Sequence, residues 1–270
     1  MLAMITGASS GIGAEFARKL GARGFDLMLV ARREDRLRSL ADEIAALNHV
    51  RTQIMPADLI QDADRNRVAE AIRSAPDLGM LVNNAGFGTM GYFFETDVAG
   101  QEKMHQLHVL TALSLTHAAL QNLVPKARTG TGVINVSSVA AFGSTPGSAG
   151  YGATKAWMNA FTKGLAMELA ARDSPVRVQA LCPGFTLSEF HDALGMDRSQ
   201  VPASLWLTPG YVVQESLRGW DKGRLIVIPS WRYKTMAAAM SSIPEPWMRR
   251  LAIAGARRYR RSKSSGAGAQ

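Results

Sequence analysis

Three residues have the types and spacing to move a proton. Tyr151 and Lys155 lie four apart, so on a helix they share one face. A free phenol, with a pKa of about 10, is a poor acid or base at neutral pH. A neighbouring ammonium favours the phenolate and lowers that pKa. Ser138 stands thirteen residues before Tyr151 at the end of an apolar run, where its hydroxyl could polarise a carbonyl by donating a hydrogen bond. Taken singly, each has a plainer reading: a surface tyrosine, a solvated lysine, a strand-end serine.

A second stretch has the chemistry of an anion cradle. Thr6-Gly7-Ala8-Ser9-Ser10-Gly11-Ile12-Gly13 follows the first apolar run and opens the first helical pattern. Glycines at 7, 11 and 13 permit a tight turn and a close backbone approach to a pyrophosphate. The helix N-terminus adds unpaired N–H groups and a partial positive charge. The plainer reading is a loop capped by Ser9 or Ser10. The strand-turn-helix context favours a dinucleotide site. The end of the second apolar run then addresses the ribose. An acid there would hold a 2′-hydroxyl, whereas a 2′-phosphate requires a cation. The sequence reads Val30-Ala31-Arg32-Arg33, with no carboxylate before Glu34. The forked donors of Arg32 suit a phosphate, and Arg33 divides between that role and a solvated helix start. The cofactor expected is NADP.

The elements that must position these groups follow from the hydrophobic pattern. Strands are predicted at 2–6, 26–31, 52–55, 80–83, 132–137, 177–181 and 225–228, and helices near 12–23, 36–47, 64–74, 100–123, 151–171 and 210–219. Strands apolar throughout, each followed by a helix, describe βαβ units around a parallel sheet buried on both faces. The fold class is therefore α/β, a single Rossmann-type doubly wound sheet of about seven strands. Residues 1–230 form that domain, 231–262 a basic helical extension and 263–270 a disordered tail.

With Asn83-Asn84-Ala85-Gly86 after the fourth strand and Tyr151-Gly-Ala-Thr-Lys155 opening a later helix, the chain resembles the short-chain dehydrogenase/reductase family. The Asn135-Val-Ser-Ser138 run and Cys182-Pro183-Gly184 complete the set, and the resemblance extends from about Leu2 to Ile228. It implies a seven-stranded Rossmann sheet, a homodimer or homotetramer, and hydride transfer between nicotinamide and a carbonyl carbon while Tyr151 carries the proton. Lys155 would also hold the nicotinamide ribose, and the oxidised ring would further lower the phenol pKa. The resemblance places Asp58 and Leu59 beside the adenine, although Asp58 could equally cap a helix. It places Asn84, Ala85 and Gly86 along the adenosine, and Pro183, Gly184 and Thr186, with Ser188 nearby, against the carboxamide or phosphates.

One position departs from that pattern. The family usually carries an Asn on the long helix before the fifth strand, anchoring a water of the proton relay, and here His108 falls at that position. An imidazole can donate and accept, so it could hold such a water. The plainer reading is a helix-packing histidine. Two other functions stay open: a non-catalytic NADP-binding regulatory protein, toward which His108 points and against which the Ser-Tyr-Lys set points, and an epimerase or dehydratase on the same fold.

Composition narrows the partners. The 270 residues carry a formal charge of +9, but seven of the 31 basic residues fall after Met248, where no acid remains. Without them 24 basic residues face 22 acidic ones, so the excess belongs to the tail. Nucleic-acid binding is not expected. The tail reads as a helix packed on the domain with a solvated basic face, or as a peripheral contact with an anionic membrane. Between Pro183 and Pro209 a lid rich in Phe185, Phe190, Leu194, Met196, Trp206 and Leu207 predicts a hydrophobic small-molecule substrate, with His191 as an exposed residue or a polar contact. The lone Cys182 excludes an intramolecular disulfide framework and a Cys-cluster zinc site, and no metal is expected. The glycine-rich run begins too early for a secretory signal, so the expected location is the cytoplasm or its membrane surface.

Overall fold

The computed structural model describes residues 1–190, 194, 198, 201–244, 246–250 and 252–254. The predicted tail at 263–270, most of the predicted basic run, and His191 and Met196 of the lid lie outside the described residues.

Seven parallel strands form one sheet in the order β3-β2-β1-β4-β5-β6-β7. They are β1 (Leu2–Thr6), β2 (Asp26–Ala31), β3 (Thr52–Pro56), β4 (Leu78–Asn83), β5 (Gly132–Val136), β6 (Arg177–Leu181) and β7 (Ile226–Val227). The crossover helices are α1 (Gly11–Gly21), α2 (Glu34–Asn48), α3 (Asp62–Ser74), α4 (Val98–His105), α5 (Ala112–Leu123), α6 (Ala149–Ala170) and α7 (Pro209–Asp221), and α8 (Trp231–Ser242) follows the last strand. Alternate residues of each strand feed opposite faces. Ala3, Ile5, Leu27 and Leu29 pack with Phe16 and Leu20 of α1, Leu37 and Ile44 of α2 and Leu217 of α7. Met4, Val30, Leu81 and Val133 pack with Val68 and Ile72 of α3 and Leu115 and Leu123 of α5. Two apolar layers thus cover the sheet, which is why β4 and β5 are buried from end to end.

The strand order reverses between β1 and β4, so a crevice opens beyond the carboxyl ends of those strands, the place where such sheets bind ligands. Polar residues lie beneath it. Asn83 and Asn135 are direct partners in the β4–β5 ladder. Asn83 donates to Asn135 Oδ1 and to Thr116 Oγ1 of α5, both at 2.9 Å. Asn135 in turn donates to Thr162 Oγ1 of α6 at 3.0 Å. All four side chains are buried.

The helix predicted without a break over 100–123 is interrupted. Between α4 and α5, Gln106–Thr111 forms a π-helical turn. The Thr111 hydroxyl donates to Gln106 O, five residues back, and to Leu59 O in the loop after β3 at 2.8 Å. Helix α8 packs through Tyr233 and Ala237 and leaves Trp231 exposed. Among the described residues no helix is long and apolar enough to cross a membrane.

Candidate active site

The turn after β1 needs its glycines. Gly7 has φ +65°, and a Cβ there would meet Ala85 Cα and Asn84 Nδ2, both at 2.8 Å. A Cβ on Gly13 would lie 2.3 Å from Gly7 O, and Gly11 also has positive φ. Asn84 fastens the turn to β4, its amide donating to Thr6 O at 2.9 Å and Gly7 O at 3.1 Å. Thr6 Oγ1 accepts from the N–H groups of Asn84 and Ala85, each at 3.0 Å. Helix α1 then begins with no acid in its first turn, and Ser10 at the N-cap makes no capping bond through its side chain. These N–H groups fit the diphosphate of a dinucleotide: glycine lets the backbone approach, and the first turn of α1 carries no acid of its own.

Arg33, rather than Arg32, faces this turn. Its guanidinium donates to Ser9 Oγ at 3.0 Å and Ser10 Oγ at 3.1 Å. It also pairs with Glu189 at 2.8 Å. Arg32 is exposed, with no hydrogen bond or ion pair among the described residues. Glu189 also binds Arg36, and the two guanidiniums, Arg33 first, hold its carboxyl at about 2. Asp58 does not cap α3, whose N-cap is Gln61. Its side chain accepts from Ile60 N and its own N–H donates to Asp64, a local turn at the rim of the crevice. Leu59 is buried beside it, its carbonyl taken by Thr111.

Ser138, Tyr151 and Lys155 meet at the carboxyl end of β5. Ser138 caps a short 3₁₀ turn (Val139–Phe142), accepting from Ala140 N at 3.1 Å. The turn is pinned to the neighbouring strand by Val139 N donating to Pro183 O at 2.9 Å. Tyr151 stands in the first turn of α6 with Ser138 near its phenol. Its ring keeps some exposure at the cleft, yet desolvation around the phenol pushes its pKa up to about 12, with Ser138 pulling the other way. One turn on, Lys155 is buried, its Nζ donating to Val136 O at 2.9 Å and lying 5.8 Å from the Tyr151 ring centroid. Burial lowers its pKa to about 8. The phenol therefore stays protonated, and the lowering of its pKa expected from the Lys155 ammonium does not appear, because burial outweighs it.

His108 sits on the π turn and is fully buried. Its Nδ1 is 2.9 Å from Thr154 Oγ1, which itself donates to Tyr151 O at 2.8 Å. The hydroxyl has spent its proton, so Nδ1 must carry the hydrogen and Nε2 is the bare acceptor. Nε2 has no hydrogen-bond partner and points toward Gly86, where a Cβ would lie 2.6 Å away. Burial, with smaller contributions from Lys155 and His105, lowers the imidazole pKa well below its usual value.

On the substrate side, Phe190 lies 5.8 Å from the Tyr151 ring, and Phe190 and Leu194 close over Gly88. Tyr233 of α8 underpins this cover: its ring stacks where a Cβ on Gly184 would be, it donates to Leu205 O at 2.7 Å and it accepts from Phe185 N at 3.1 Å. Thr186 is buried, its hydroxyl on Gly184 O. Ser188 lies against Gly11. Glu189, Arg36, Thr154 and Tyr233 escaped sequence reasoning. Only Thr154 carried a signal, three residues after Tyr151 on the same helix face.

Comparison with known proteins matches residues 1–199 to the short chain dehydrogenase family. The 7beta-hydroxysteroid dehydrogenase of Collinsella aerofaciens is 30% identical over 231 residues, 86% of each chain. Sulfoacetaldehyde reductase 2 of Chromohalobacter salexigens is 33% identical over 194 residues, 70% of this chain and 74% of its own. A short-chain dehydrogenase from Sphingobium yanoikuyae, solved in complex with NADPH, superposes with a TM-score of 0.81 at 32% identity, covering 90% of this chain and 96% of its own. The bulky-bulky ketone specific alcohol dehydrogenase of Comamonas testosteroni gives 0.77 at 29% identity, with 90% and 95% covered. With the family matched over most of its length and the turn, the sheet and the Ser-Tyr-Lys group in place, the chain belongs to the short-chain dehydrogenase family of oxidoreductases.

Proposed function

We propose that the chain is an NADP-dependent oxidoreductase that transfers a hydride between nicotinamide and a hydrophobic ketone, aldehyde or secondary alcohol. The observation that carries this reading is the meeting of Ser138, Tyr151 and Lys155 beside the glycine turn, under an apolar cover. The reduced cofactor supplies the hydride when bound. The chain's own groups do the rest. Tyr151, held protonated, gives its proton to the oxygen that becomes an alkoxide, and Ser138 donates a hydrogen bond to the same oxygen. Lys155, fixed on Val136 O, stabilises the phenolate left behind. Oxidation of an alcohol runs through the same groups in reverse. His108 holds a water of the proton relay, with Nε2 as the atom that accepts from it. Phe190 and Leu194 favour an apolar substrate, and the ketone-specific and hydroxysteroid enzymes among the relatives support the same class.

Tyr151→Phe tests the assignment on a graded panel of ketones, aldehydes and alcohols, followed by the absorbance of the reduced cofactor. Turnover should vanish while cofactor affinity stays within about twofold. A variant keeping most of its activity would overturn the mechanism.

A further inference from the structure

Glu189 has no part in the proton chemistry, yet it is among the most heavily partnered acids of the chain. It belongs to residues 185–190, the segment that leaves Gly184 and runs over the site. Its two oxygens reach to the start of α2, Oε2 to Arg33 at 2.8 Å and Oε1 to Arg36 at 2.5 Å. The same Arg33 donates to the hydroxyls of Ser9 and Ser10 of the glycine turn. Two guanidiniums therefore converge on one carboxylate at the outer end of the cradle, and one of them also holds both hydroxyls of the turn. The ion pairs are about half exposed, Arg33 at 40%, Arg36 at 48% and Glu189 at 45%, so they are open to exchange with solutes. Forked donors around a doubly accepting anion are also what a phosphate monoester selects, and it brings a third oxygen and a larger charge than a carboxylate.

We propose that Glu189 is a built-in competitor for the anion subsite formed by Ser9, Ser10, Arg33 and Arg36. A 2′-phosphorylated nucleotide binds there by displacing the carboxylate and releases residues 185–190 from α2 as it does so. A nucleotide with a free 2′-hydroxyl lacks the charge to displace it and leaves the segment clamped. The proposal rests on the NADP reading and deepens it, because it makes one acid on the substrate side a determinant of cofactor discrimination.

The test uses adenosine 2′,5′-bisphosphate, which has the 2′-phosphate and no nicotinamide, with 5′-AMP as control. Both are titrated by calorimetry into wild type, Glu189→Gln and Arg33→Ala. Glu189→Gln should bind the bisphosphate about fivefold more tightly than wild type, two exposed ion pairs no longer being broken, with AMP unchanged. Arg33→Ala should lose the preference for the bisphosphate. Hydrogen exchange in residues 185–190 should rise in wild type on adding the bisphosphate but not AMP, and should start high in Glu189→Gln. Equal or weaker bisphosphate binding by Glu189→Gln overturns the competitor role, as does weaker AMP binding, which would mark Glu189 as a ribose ligand. A wild type that does not distinguish the two nucleotides removes the NADP reading itself, a failure separable from that of Glu189.

Discussion

Replacing His108 by Leu separates the acid–base properties of the buried imidazole from its packing. In the folded chain the ring is neutral, because burial lowers its pKa well below the ordinary value near 6.5. The unfolded chain binds a proton there as pH falls through about 6.5 and the folded chain does not, so acid favours unfolding. If the folded ring stays neutral down to pH 5.5, this one group removes about 1 kcal/mol of stability between pH 6.5 and 5.5. That corresponds to a fall of about 2–4 °C in Tm for a chain of this size. At pH 8 the substitution should cost about 1–2 kcal/mol, through loss of the Nδ1–H bond to Thr154 and of the relay water's bond to Nε2. Thermal unfolding of both proteins at pH 8, 6.5 and 5.5 reads the difference, since the other titrating groups are common to the two. Wild type should lose the additional 2–4 °C and His108→Leu should not. Turnover per folded molecule should fall in the Leu variant and recover in His108→Asn, whose amide can again hold a water. The low pKa also means that no ionisation of His108 should shape the pH–rate profile near neutrality, contrary to the behaviour of an ordinary histidine. Parallel acid losses in wild type and His108→Leu would refute the neutral buried ring, and unchanged specific activity would remove it from the relay.

Other outcomes follow from the same geometry. Gly13→Ala puts a methyl 2.3 Å from Gly7 O, a backbone atom that cannot swing aside, so cofactor affinity by fluorescence titration should drop by about tenfold or more. Tyr233→Phe removes the hydroxyl that accepts from Phe185 N–H and donates to Leu205 C=O, costing about 2 kcal/mol and about 4–8 °C in Tm, with KM rising more than kcat falls. Arg33→Ala should weaken NADP binding by about tenfold and Arg32→Ala by far less, both effects shrinking as salt is added; equal losses would return Arg32 to the phosphate.

What could be read in the sequence was what local pattern controls. Leu2–Thr6 and Asp26–Ala31 are strands at their predicted limits because apolar runs meet a polar residue or a turn at each end, and Arg177–Leu181 matches its limits although Gln179 interrupts its apolar run. The last strand is only Ile226–Val227, since it is an edge and has only Ala180 and Leu181 to pair with. Periodicity could not expose the π turn, because the apolar spacing of 100–123 fits an α-helix; the break comes from Thr111 taking the Gln106 carbonyl. In the site, the Tyr151–Lys155 spacing was legible because it is a property of one helix. Choosing between Arg32 and Arg33 was not, because it depends on how the backbone leaves β2: Arg33 is the N-cap of α2, extended at φ −88° and ψ 95°. Glu189 was invisible for the same reason, its partner lying 156 residues away.

The amides of Asn83 and Asn135 bear on how this sheet avoids mispairing. Their neighbours along β4 and β5 are apolar and similar in size, Met80-Leu81-Val82 against Val133-Ile134. A shift of two residues would keep every side chain on its face and cost the apolar contacts little. It would not be neutral for the amides. Each would be carried out of reach of the other and of Thr116 or Thr162, leaving two buried amides unpaired at about 2 kcal/mol apiece. The offset pairing would then be disfavoured by about three orders of magnitude. The amide pair acts as an alignment pin at the centre of the sheet, and the aliphatic residues around it are free to drift without moving the strand ends on which Ser138 and the Asn84 anchor stand.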